Sequence, residues 1–476
     1  AYLMDVTGIS TFASKSDEGK LTFAGNMLQW ELTDKFKITD DIYAGSDYVG
    51  KYQEAPTLIN AGGNKDNASN TPYLIFTSGI NSVASSASGK APGVFIVNML
   101  GKTASDESCY VSNESGEFNV PKTAGDVKSL KLPCVVASQA LADGQHVHNA
   151  DIQTFSDPWE LGRTPDFTNV RLATVTGNDA NALGFYFGDS FGNLWRLQLG
   201  KDEHVNKPYN WFKKCDPDCD TVSAPEVMFV ARDSNGRNQP ITVTPETGYY
   251  GGDGIAVAVG TGSYVYTYDS SVVSKVYNSS QSVYLLRDMG SVAASSGDFK
   301  GRCADKEDKN CLMNLPVSAV KNKDGAYVRK VNPENLKGYK TDNYGWYMDL
   351  NPVDPDTGSQ INETGERIDT NMLIIDNKLT ITPNTPAVGD NCRGSGTSSL
   401  QQINYMTGEL STVKEIKALV THLSATIHYD EKGIPNVVIH ATVDNAEKEE
   451  GSEAIHSIEL NQDVSPTRSS SWIRLF

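Results

Sequence analysis

The stretch GDSFGNLWRLQL, Gly188–Leu199, decides the fold class of this chain. A Gly-Asn turn in it precedes residues that alternate between two faces, which predicts one strand of an antiparallel hairpin with a buried face. A second stretch, GTGSYVYTYDSS at Gly260–Ser271, follows the apolar segment IAVAVG and begins at a glycine corner. Such units of a turn with aromatic residues recur along the chain and are typical of β-propeller blades.

Apolar, β-branched and aromatic segments predict strands along most of the chain. We predict them at Tyr73–Thr77, Gly93–Val97, Phe185–Phe187, Leu194–Leu199, Ile255–Val259, Val283–Arg287, Met372–Ile375, Leu379–Thr382 and Val437–Thr442. One helix is predicted over Leu410–Leu423, because Val413, Ile416, Leu419 and Val420 fall on one helical face. The 41 glycines are spread throughout, as in an all-β protein with many turns. We therefore predict an all-β fold, a seven-bladed β-propeller modified by loop insertions.

The length of 476 residues would be unusual for one domain unless that domain were built from repeats. We predict a single propeller domain over residues 1–476, with the assignment of residues 1–60 left open. Two polar, irregular regions near 103–151 and 293–340 are predicted to be surface insertions. Long loops on a rigid scaffold are where binding functions tend to lie.

The charge and hydropathy of the chain exclude some classes of partner. A net charge of −18 argues against nucleic-acid binding, since phosphate contacts need clustered Lys and Arg. No apolar run is long enough to predict a transmembrane helix. The first residues, AYLMDVTGIS, lack the pattern of a secretory signal. We expect either that a signal has been removed or that the chain is a fragment of a longer protein.

Six of the seven cysteines form close sequence pairs, which predict disulfides in an oxidising compartment. The pairs are Cys109 with Cys134, Cys215 with Cys219, and Cys303 with Cys311. A zinc site at the CDPDC loop would need two further soft ligands nearby, and the sequence offers none. Cys392 is left over and is either free or paired outside this chain.

Six segments occur in a defined order over Asn178–Phe476. They are GDSFGNLWRL; VMFVARDSNGRNQPITVTPETG; GTGSYVYTYDSS followed by QSVYLLRDMG; GWYMDL followed by GERIDTNMLIIDNKLTITPNTP; Asn391–Gly408; and the closing SWIRLF. In these segments the chain resembles the C-terminal β-propeller domain of the PilC/PilY-type adhesins of type IV pilus tips. Ahead of them the match is loose and rests on PYLIFTSG and GVFIVNML.

The resemblance implies a secreted, non-enzymatic protein at the pilus tip or bacterial cell surface, exported through the periplasm. Its implied role is to support pilus biogenesis, counteract retraction and mediate surface attachment. The implied partners are minor pilins, a host or abiotic surface receptor, and the N-terminal adhesive region if this chain is a fragment. The GNLW strand also resembles the tryptophan-bearing strands of quinoprotein-like propellers, in which the aromatic ring packs between blades, so we expect Trp195 and Trp346 to pack between blades.

Calcium is the one cofactor that the resemblance raises. The family often carries an acidic calcium loop just before its GNLW strand, and this chain has GNDANALGFYFGD there. Asn178, Asp179 and Asn181 supply oxygen ligands, but Leu183 stands where a closing carboxylate is expected. A calcium ion takes six to eight oxygens, several of them charged. The resemblance therefore implies a degenerate loop with weak calcium affinity.

Parts of the sequence are compatible with four other interpretations. GDSFG matches the nucleophile elbow G-x-S-x-G, but the elbow needs a strand, a sharp turn and a helix, whereas Ser190 precedes a hairpin strand. His146 and His148 would share one face of a strand as metal ligands do, yet no acidic or thiol cluster accompanies them. A quinoprotein-like dehydrogenase propeller and a periplasmic scaffold of the same fold remain as alternative functions.

Overall fold

The computed structural model describes the chain in segments. The described residues are 2–4, 28–31, 35–38, 41–44, 57–61, 71–77, 79, 93–98, 134–140, 168, 170–174, 183–198, 226–236, 238–250, 254–263, 280–288, 301–303, 311–315, 317–321, 327–331, 344–350, 365–386, 396–429, 435–444, 455–457 and 462–463. The chain divides into two compact units. The first unit comprises Ala1–His146, Asp157–Val170 and Leu199–Pro225, and the second comprises Val147–Ser156, Arg171–Gln198 and Glu226–Phe476.

The first unit contains two sheets. Its strands are β1 (Tyr2–Met4), β2 (Leu28–Glu31), β3 (Lys35–Ile38), β4 (Asp41–Ala44), β5 (Thr57–Ala61), β6 (Thr71–Thr77), β7 (Gly93–Asn98) and β8 (Cys134–Ala140). Strands β1 and β2 pair with each other, and the others form a six-stranded sheet in the order β4-β3-β8-β7-β6-β5. Strand β8 lies in the region predicted as the first insertion, yet it pairs on both sides, with β3 and β7. That region is therefore not a surface loop throughout.

The second unit begins at β9 and contains the segments that carry the family resemblance. Its first strands are β9 (Arg171–Thr174), β10 (Leu183–Gly188), β11 (Asn193–Gln198), β12 (Glu226–Val230), β13 (Glu246–Tyr249), β14 (Ile255–Gly260), β15 (Ser282–Asp288), β16 (Met313–Asn314), β17 (Val317–Lys321), β18 (Tyr327–Val331) and β19 (Gly345–Asp349). They are followed by β20 (Leu373–Ile375), β21 (Lys378–Ile381), β22 (Asn384–Pro386), β23 (Gly396–Asn404), β24 (Leu410–Ile416), β25 (Leu419–Tyr429), β26 (Pro435–Asp444), β27 (Ile455–Ser457) and β28 (Gln462–Asp463).

The described part of this unit contains a two-stranded antiparallel sheet of β17 and β18 and four larger, mainly antiparallel sheets that follow one another along the chain. Sheet I has the order β12-β11-β10-β9, and sheet II has the order β13-β14-β15-β19-β16, with β16 parallel to β19. Sheet III joins β20, β21, β23 and β24, with β22 also paired to β23. Sheet IV joins β25, β26 and β27, with β28 also paired to β26. Strands that neighbour one another in these sheets are mostly neighbours in sequence, as in a meander.

Three buried clusters join the four sheets face to face in chain order. One contains residues of sheets I and II, the next residues of sheets II and III, and the last residues of sheets III and IV. Strand β14 shows how the sequence does this. Ile255, Val257 and Val259 lie in the cluster with sheet I, while Ala256 and Ala258 lie in the cluster with sheet III. Successive side chains of a strand point to opposite faces, so a strand buried on both faces is apolar throughout.

Hydrogen bonds link consecutive sheets. In two of them a backbone N–H of the segment leading into the next sheet donates to the carbonyl oxygen of the residue that follows the second strand of the preceding sheet. In the third, the N–H of Val420 on β25 donates to the side chain of Asn384, the first residue of β22. The bonds run from Ile241 N–H to Asp189 O at 2.9 Å, from Ile368 N–H to Thr261 O at 2.9 Å, and from Val420 N–H to Asn384 Oδ1 at 3.2 Å. The backbone at Gly188 lies close to the side chain of Ile241: a Cβ added to Gly188 would be 2.1 Å from Ile241 Cγ2. Glycine is therefore required where this strand ends.

The turn within the GDSFGNLW stretch is built as the sequence predicts. Strands β10 and β11 pair as an antiparallel hairpin. Gly192 has a φ of +86°, and a Cβ there would lie 2.6 Å from the carbonyl oxygen of Gln239. Asp189 closes the turn by accepting hydrogen bonds from the N–H groups of Phe191 and Asn193, each at 2.9 Å. Ser190 therefore lies in a hairpin turn and not in a strand-to-helix elbow.

The predicted all-β class is confirmed, and each predicted strand overlaps an observed one, but the predicted helix is wrong. Leu410–Leu423 forms β24 and the start of β25, with a bend at Lys417 and Ala418 between them. The apolar spacing that resembled a helical face comes from two strands that pair with different partners, β23 and β26. In the described part of the chain no helix is present, and hence none that could cross a membrane.

Candidate functional site

A densely hydrogen-bonded polar cluster lies at the base of the disulfide-closed segment beside sheet II. Cys303 and Cys311 are bonded, with their Cα atoms 5.0 Å apart. Cys303 N–H donates to Leu312 O at 2.9 Å, and Leu312 N–H donates to Gly301 O at 2.7 Å. Strand β16 then continues along β19, so the closed segment starts and ends against the sheet. The sequence between the cysteines, ADKEDKN, lies outside the described residues.

Arg302 fixes this segment to the sheet. Its Nη1 lies 2.9 Å from Asp349 Oδ1 on β19, in an ion pair whose side chains are 15% and 31% exposed. Its Nη2 donates to Ser282 Oγ at 2.8 Å and to the Tyr284 hydroxyl at 2.7 Å on β15. The guanidinium also lies 4.2 Å from the ring centre of Tyr347, at cation–π distance.

The same cluster reaches the segment that precedes sheet II. Gln239 Nε2 donates to Ser282 Oγ at 2.9 Å, and the Tyr284 hydroxyl lies within hydrogen-bond distance of Gln239 Oε1 and Arg232 O, to either of which it can donate its one proton. Gln239 and Ser282 are fully buried. Because buried polar groups must be paired, these contacts fix three separate segments of the chain to one another.

The charges in the cluster are fixed at neutral pH. Burial raises the pKa of Tyr284 to about 12, although Arg302 opposes the shift. Burial likewise raises the pKa of Tyr347, again against the effect of Arg302. For Arg302, burial lowers the pKa, but Tyr284 and Asp349 raise it more, so the pKa lies above its ordinary value. These shifts favour neutral phenols at Tyr284 and Tyr347 and a charged guanidinium at Arg302, the forms that the hydrogen bonds and the cation–π contact of the cluster use.

Trp195 and Trp346, which the sequence analysis singled out, are fully buried. Trp195 Nε1 donates to Asp189 Oδ2 at 2.8 Å, and its ring stacks on Phe187 with ring centres 6.0 Å apart. Trp346 Nε1 donates to Tyr405 O at 3.1 Å, which joins sheet II to sheet III. Buried indoles usually find a partner for their N–H, and both of these do.

The other residues predicted from the sequence fall mostly where the structure gives no description. Asn178, Asp179, Asn181, His146, His148, Cys109, Cys215, Cys219 and Cys392 lie outside the described residues. Cys134 begins β8, and only its backbone is described. Among the described residues, no group of three or more His, Cys, Asp or Glu side chains is placed to hold a metal ion.

Sequence reasoning missed the contacts that Arg302 makes and a second buried ion pair. Arg196 Nη1 lies 2.9 Å from Asp288 Oδ1, with side chains 2% and 3% exposed. The Tyr186 hydroxyl donates to the other carboxylate oxygen at 2.7 Å. Arg196 lies on β11 of sheet I and Asp288 on β15 of sheet II, 92 positions apart. The local signal was an arginine among the apolar residues Leu194, Trp195 and Leu197 of β11.

No known protein family matches this sequence, and no curated protein matches it. Among solved structures, the chain is similar to BBS1N, solved in complex with ARL6DN, at 8% identity and a TM-score of 0.31. The match covers 82% of this chain and 63% of that one, so it spans less than two thirds of the solved BBS1N chain.

Two arabinan-degrading enzymes are also similar. The Cellvibrio cellulosa alpha-L-arabinanase, complexed with arabinohexaose, matches at 11% identity and a TM-score of 0.22, over 80% of this chain and 76% of its own. The endo-arabinase from Bacteroides thetaiotaomicron matches at 10% identity and a TM-score of 0.24, and the match covers 86% of this chain and 94% of the endo-arabinase chain. At such TM-scores these likenesses carry no conclusion about the fold or the function of this chain.

Proposed function

We propose that this chain is the propeller portion of a type IV pilus tip protein of the PilC/PilY type. The observation that supports the proposal is the position of the family-like segments. GDSFGNLW forms the central hairpin of sheet I, QPIT leads into sheet II, GTG ends β14, and GWYMD forms β19. The residues that carry the resemblance therefore lie in the strands and turns of sheets I and II, and GDSFG and GTG both follow the second strand of their sheets.

The proposed fold is a seven-bladed β-propeller with loop insertions. Sheets I to IV support this because they are meanders that pack face to face in chain order, as propeller blades do. The strand that comes first in each meander lies at one edge of its sheet, and the hydrogen bonds of Ile241, Ile368 and Val420 connect consecutive sheets. Closure of the ring and the number of blades are part of the proposal.

The proposed role is binding and assembly rather than catalysis. The Arg302 cluster holds the base of a disulfide-closed segment on a rigid sheet, which is how binding loops are commonly presented. Its partners would be minor pilins at the tip and a host or abiotic surface receptor, with the protein exported through the periplasm to the cell surface. The predicted disulfides are suited to that oxidising route.

The test is deletion of the gene in the bacterium that carries it, followed by complementation. The deletion strain should assemble fewer surface pili and lose twitching motility and attachment while the level of major pilin is unchanged. Wild-type protein should restore all three properties. A matched variant, in which residues 304–310 are replaced by Gly and Ser at equal length, should restore pili but not attachment. An unchanged number of pili with unchanged attachment in the deletion strain would overturn the proposal.

A further inference from the structure

Sheet IV presents a histidine-bearing face to solvent. Strand β25 is buried near its start and exposed from Ser424 to Tyr429, apart from the half-buried Ala425. By strand alternation and by the register of β25 with β26, three of the seven histidines of the chain share its outer face, His422, His428 and His440. The opposite face of the two strands carries Leu423, Val437 and Ile439 and packs against sheet III. The histidines therefore take no part in that core.

Two of these imidazoles converge on one atom. Thr426 Oγ1 lies 2.8 Å from His440 Nε2 and 3.1 Å from His428 Nε2. A hydroxyl has one proton to donate, so with neutral rings one Nε2 accepts it and the other Nε2–H donates to the hydroxyl oxygen. His428 and His440 are thus on different strands but direct the same ring nitrogen to the same point.

We propose that His428 and His440 form a surface binding site for a divalent transition-metal ion of the zinc or copper type. Neutral imidazole nitrogen is a preferred ligand of these ions, at a distance of about 2.0–2.1 Å for zinc. Binding both rings requires the ring that carries its proton on Nε2 to move it to Nδ1, with no net loss of a proton from the neutral pair. His428 is exposed and His440 is half-buried, and rotation about their side-chain bonds can bring the two nitrogens to that distance.

The site has two protein ligands, which agrees with the finding that no described group offers three. Water completes the coordination sphere, because Thr426 and His428 are exposed and His440 is half-buried. An ion held in this way links β25 to β26 across the hairpin. The inference is independent of the proposed role at the pilus tip, since it depends only on the geometry of sheet IV.

The test uses the purified full chain with zinc chloride as the probe, and separately copper chloride. Histidines are modified with diethyl pyrocarbonate with and without metal, and each site is quantified by mass spectrometry. Zinc should protect His428 and His440 together, while His422, on the same exposed face, should be modified equally in both samples. This readout separates the site from any other metal-binding group of the chain.

Three variants make the test quantitative by titration calorimetry. His428→Gln and His440→Gln should each lose one zinc site relative to the wild type, whereas the matched control His422→Gln should keep it. Circular dichroism of all three variants should equal that of the wild type, because the substituted side chains are not in the core. Equal zinc binding by the wild type, His428→Gln and His440→Gln, or equal modification of His428 with and without zinc, would overturn the proposal.

Discussion

At the scale of single residues, the buried ion pair between Arg196 and Asp288 is the contact whose loss should cost most. Both side chains are almost fully buried, and the Tyr186 hydroxyl completes the coordination of the carboxylate. Removing two charges from water is costly, so such a pair adds little net stability over apolar packing. Removing one partner is different, because it leaves the other charge buried without compensation.

Asp288→Ala should therefore lower the free energy of unfolding by about 3–5 kcal/mol. Urea unfolding followed by tryptophan fluorescence measures it. Glu415→Ala, at an exposed carboxylate on β24, is the control and should change the value by about 0.5 kcal/mol or less. Tyr186→Phe should cost about 1 kcal/mol, the usual net value of one hydrogen bond. Equal effects of Asp288→Ala and Glu415→Ala would show that the pair is not buried in solution.

Tyr284 predicts how stability depends on alkaline pH. Burial raises its pKa from 10.0 to about 12, so above pH 10 the unfolded chain releases this proton before the folded chain does. The contribution of Tyr284 to stability is therefore complete below pH 10 and is lost as the pH rises from 10 towards 12. Tyr284 lowers the free energy of unfolding by at most about 1.4 kcal/mol per pH unit over this range.

Urea unfolding of the wild type and of Tyr284→Phe between pH 8 and pH 11 measures this slope. The free energy of unfolding should fall less steeply above pH 10 in Tyr284→Phe, because the variant has one fewer group that titrates. Parallel curves for the two proteins would contradict the assignment. Burial and Asp288 also raise the pKa of Tyr186. Tyr186 therefore contributes to the fall in the free energy of unfolding with pH in both proteins.

At the scale of elements, a few contacts between residues distant in the chain hold segments against the edge of a sheet. The closed segment from Cys303 to Cys311 is attached to sheet II by its disulfide, by the cluster around Arg302 and by the pairing of β16 with β19. A short closed loop restricts the unfolded chain only modestly. The disulfide is therefore one contribution among several to holding this segment.

Replacing Cys303 and Cys311 together by Ser should lower the free energy of unfolding by about 2–3 kcal/mol at most, under the chain-entropy account of disulfides. Denaturant unfolding under non-reducing conditions measures the change, and Cys392→Ser serves as the thiol control. Mass spectrometry of the unreduced wild type should show no free thiol at Cys303 or Cys311. Free thiols at both positions would contradict the bond.

The region Leu410–Leu423 shows at this scale why local patterns mislead. Its apolar residues recur at helical spacing, yet Thr412, Val413, Ile416, Val420 and Thr421 are β-branched, which favours strands. Pairing with β23 and β26 supplies the hydrogen bonds that a helix would have made internally. Pairing with strands distant in the chain determines that this segment forms strands and not a helix, and no short window of sequence contains those strands.

At the scale of the second unit, stability should be shared between neighbouring sheets. Sheets II and III contribute to one core, in which Ala258, Leu285 and Trp346 of sheet II lie with Leu379 and Ile403 of sheet III. A sheet that loses its neighbour exposes one whole apolar face. Loss of packing in sheet II should therefore also lower the stability of sheet III against local opening.

Native-state hydrogen exchange tests this coupling. Asp288→Ala, in sheet II, should lower the opening free energy of the amides of β21, in sheet III, by about as much as it lowers that of β14. The exposed variant Glu415→Ala is again the control and should leave both unchanged. A loss of protection confined to sheets I and II would show that sheet III opens as a separate unit.

The sequence by itself determined the β class, the hairpin turn at Gly192 and the apolar character of β14. These are local properties: turn chemistry and side-chain alternation depend on residues next to one another in the chain. The tertiary structure decided which distant residues meet. Arg196 and Asp288 are 92 positions apart in the chain, and Arg302 and Asp349 are 47 positions apart. His428 and His440 approach the same Thr426 hydroxyl only because of the register of β25 with β26. Such contacts follow from how strands pair and how sheets stack, and that is fixed by burial of apolar faces over the whole unit rather than by any local pattern.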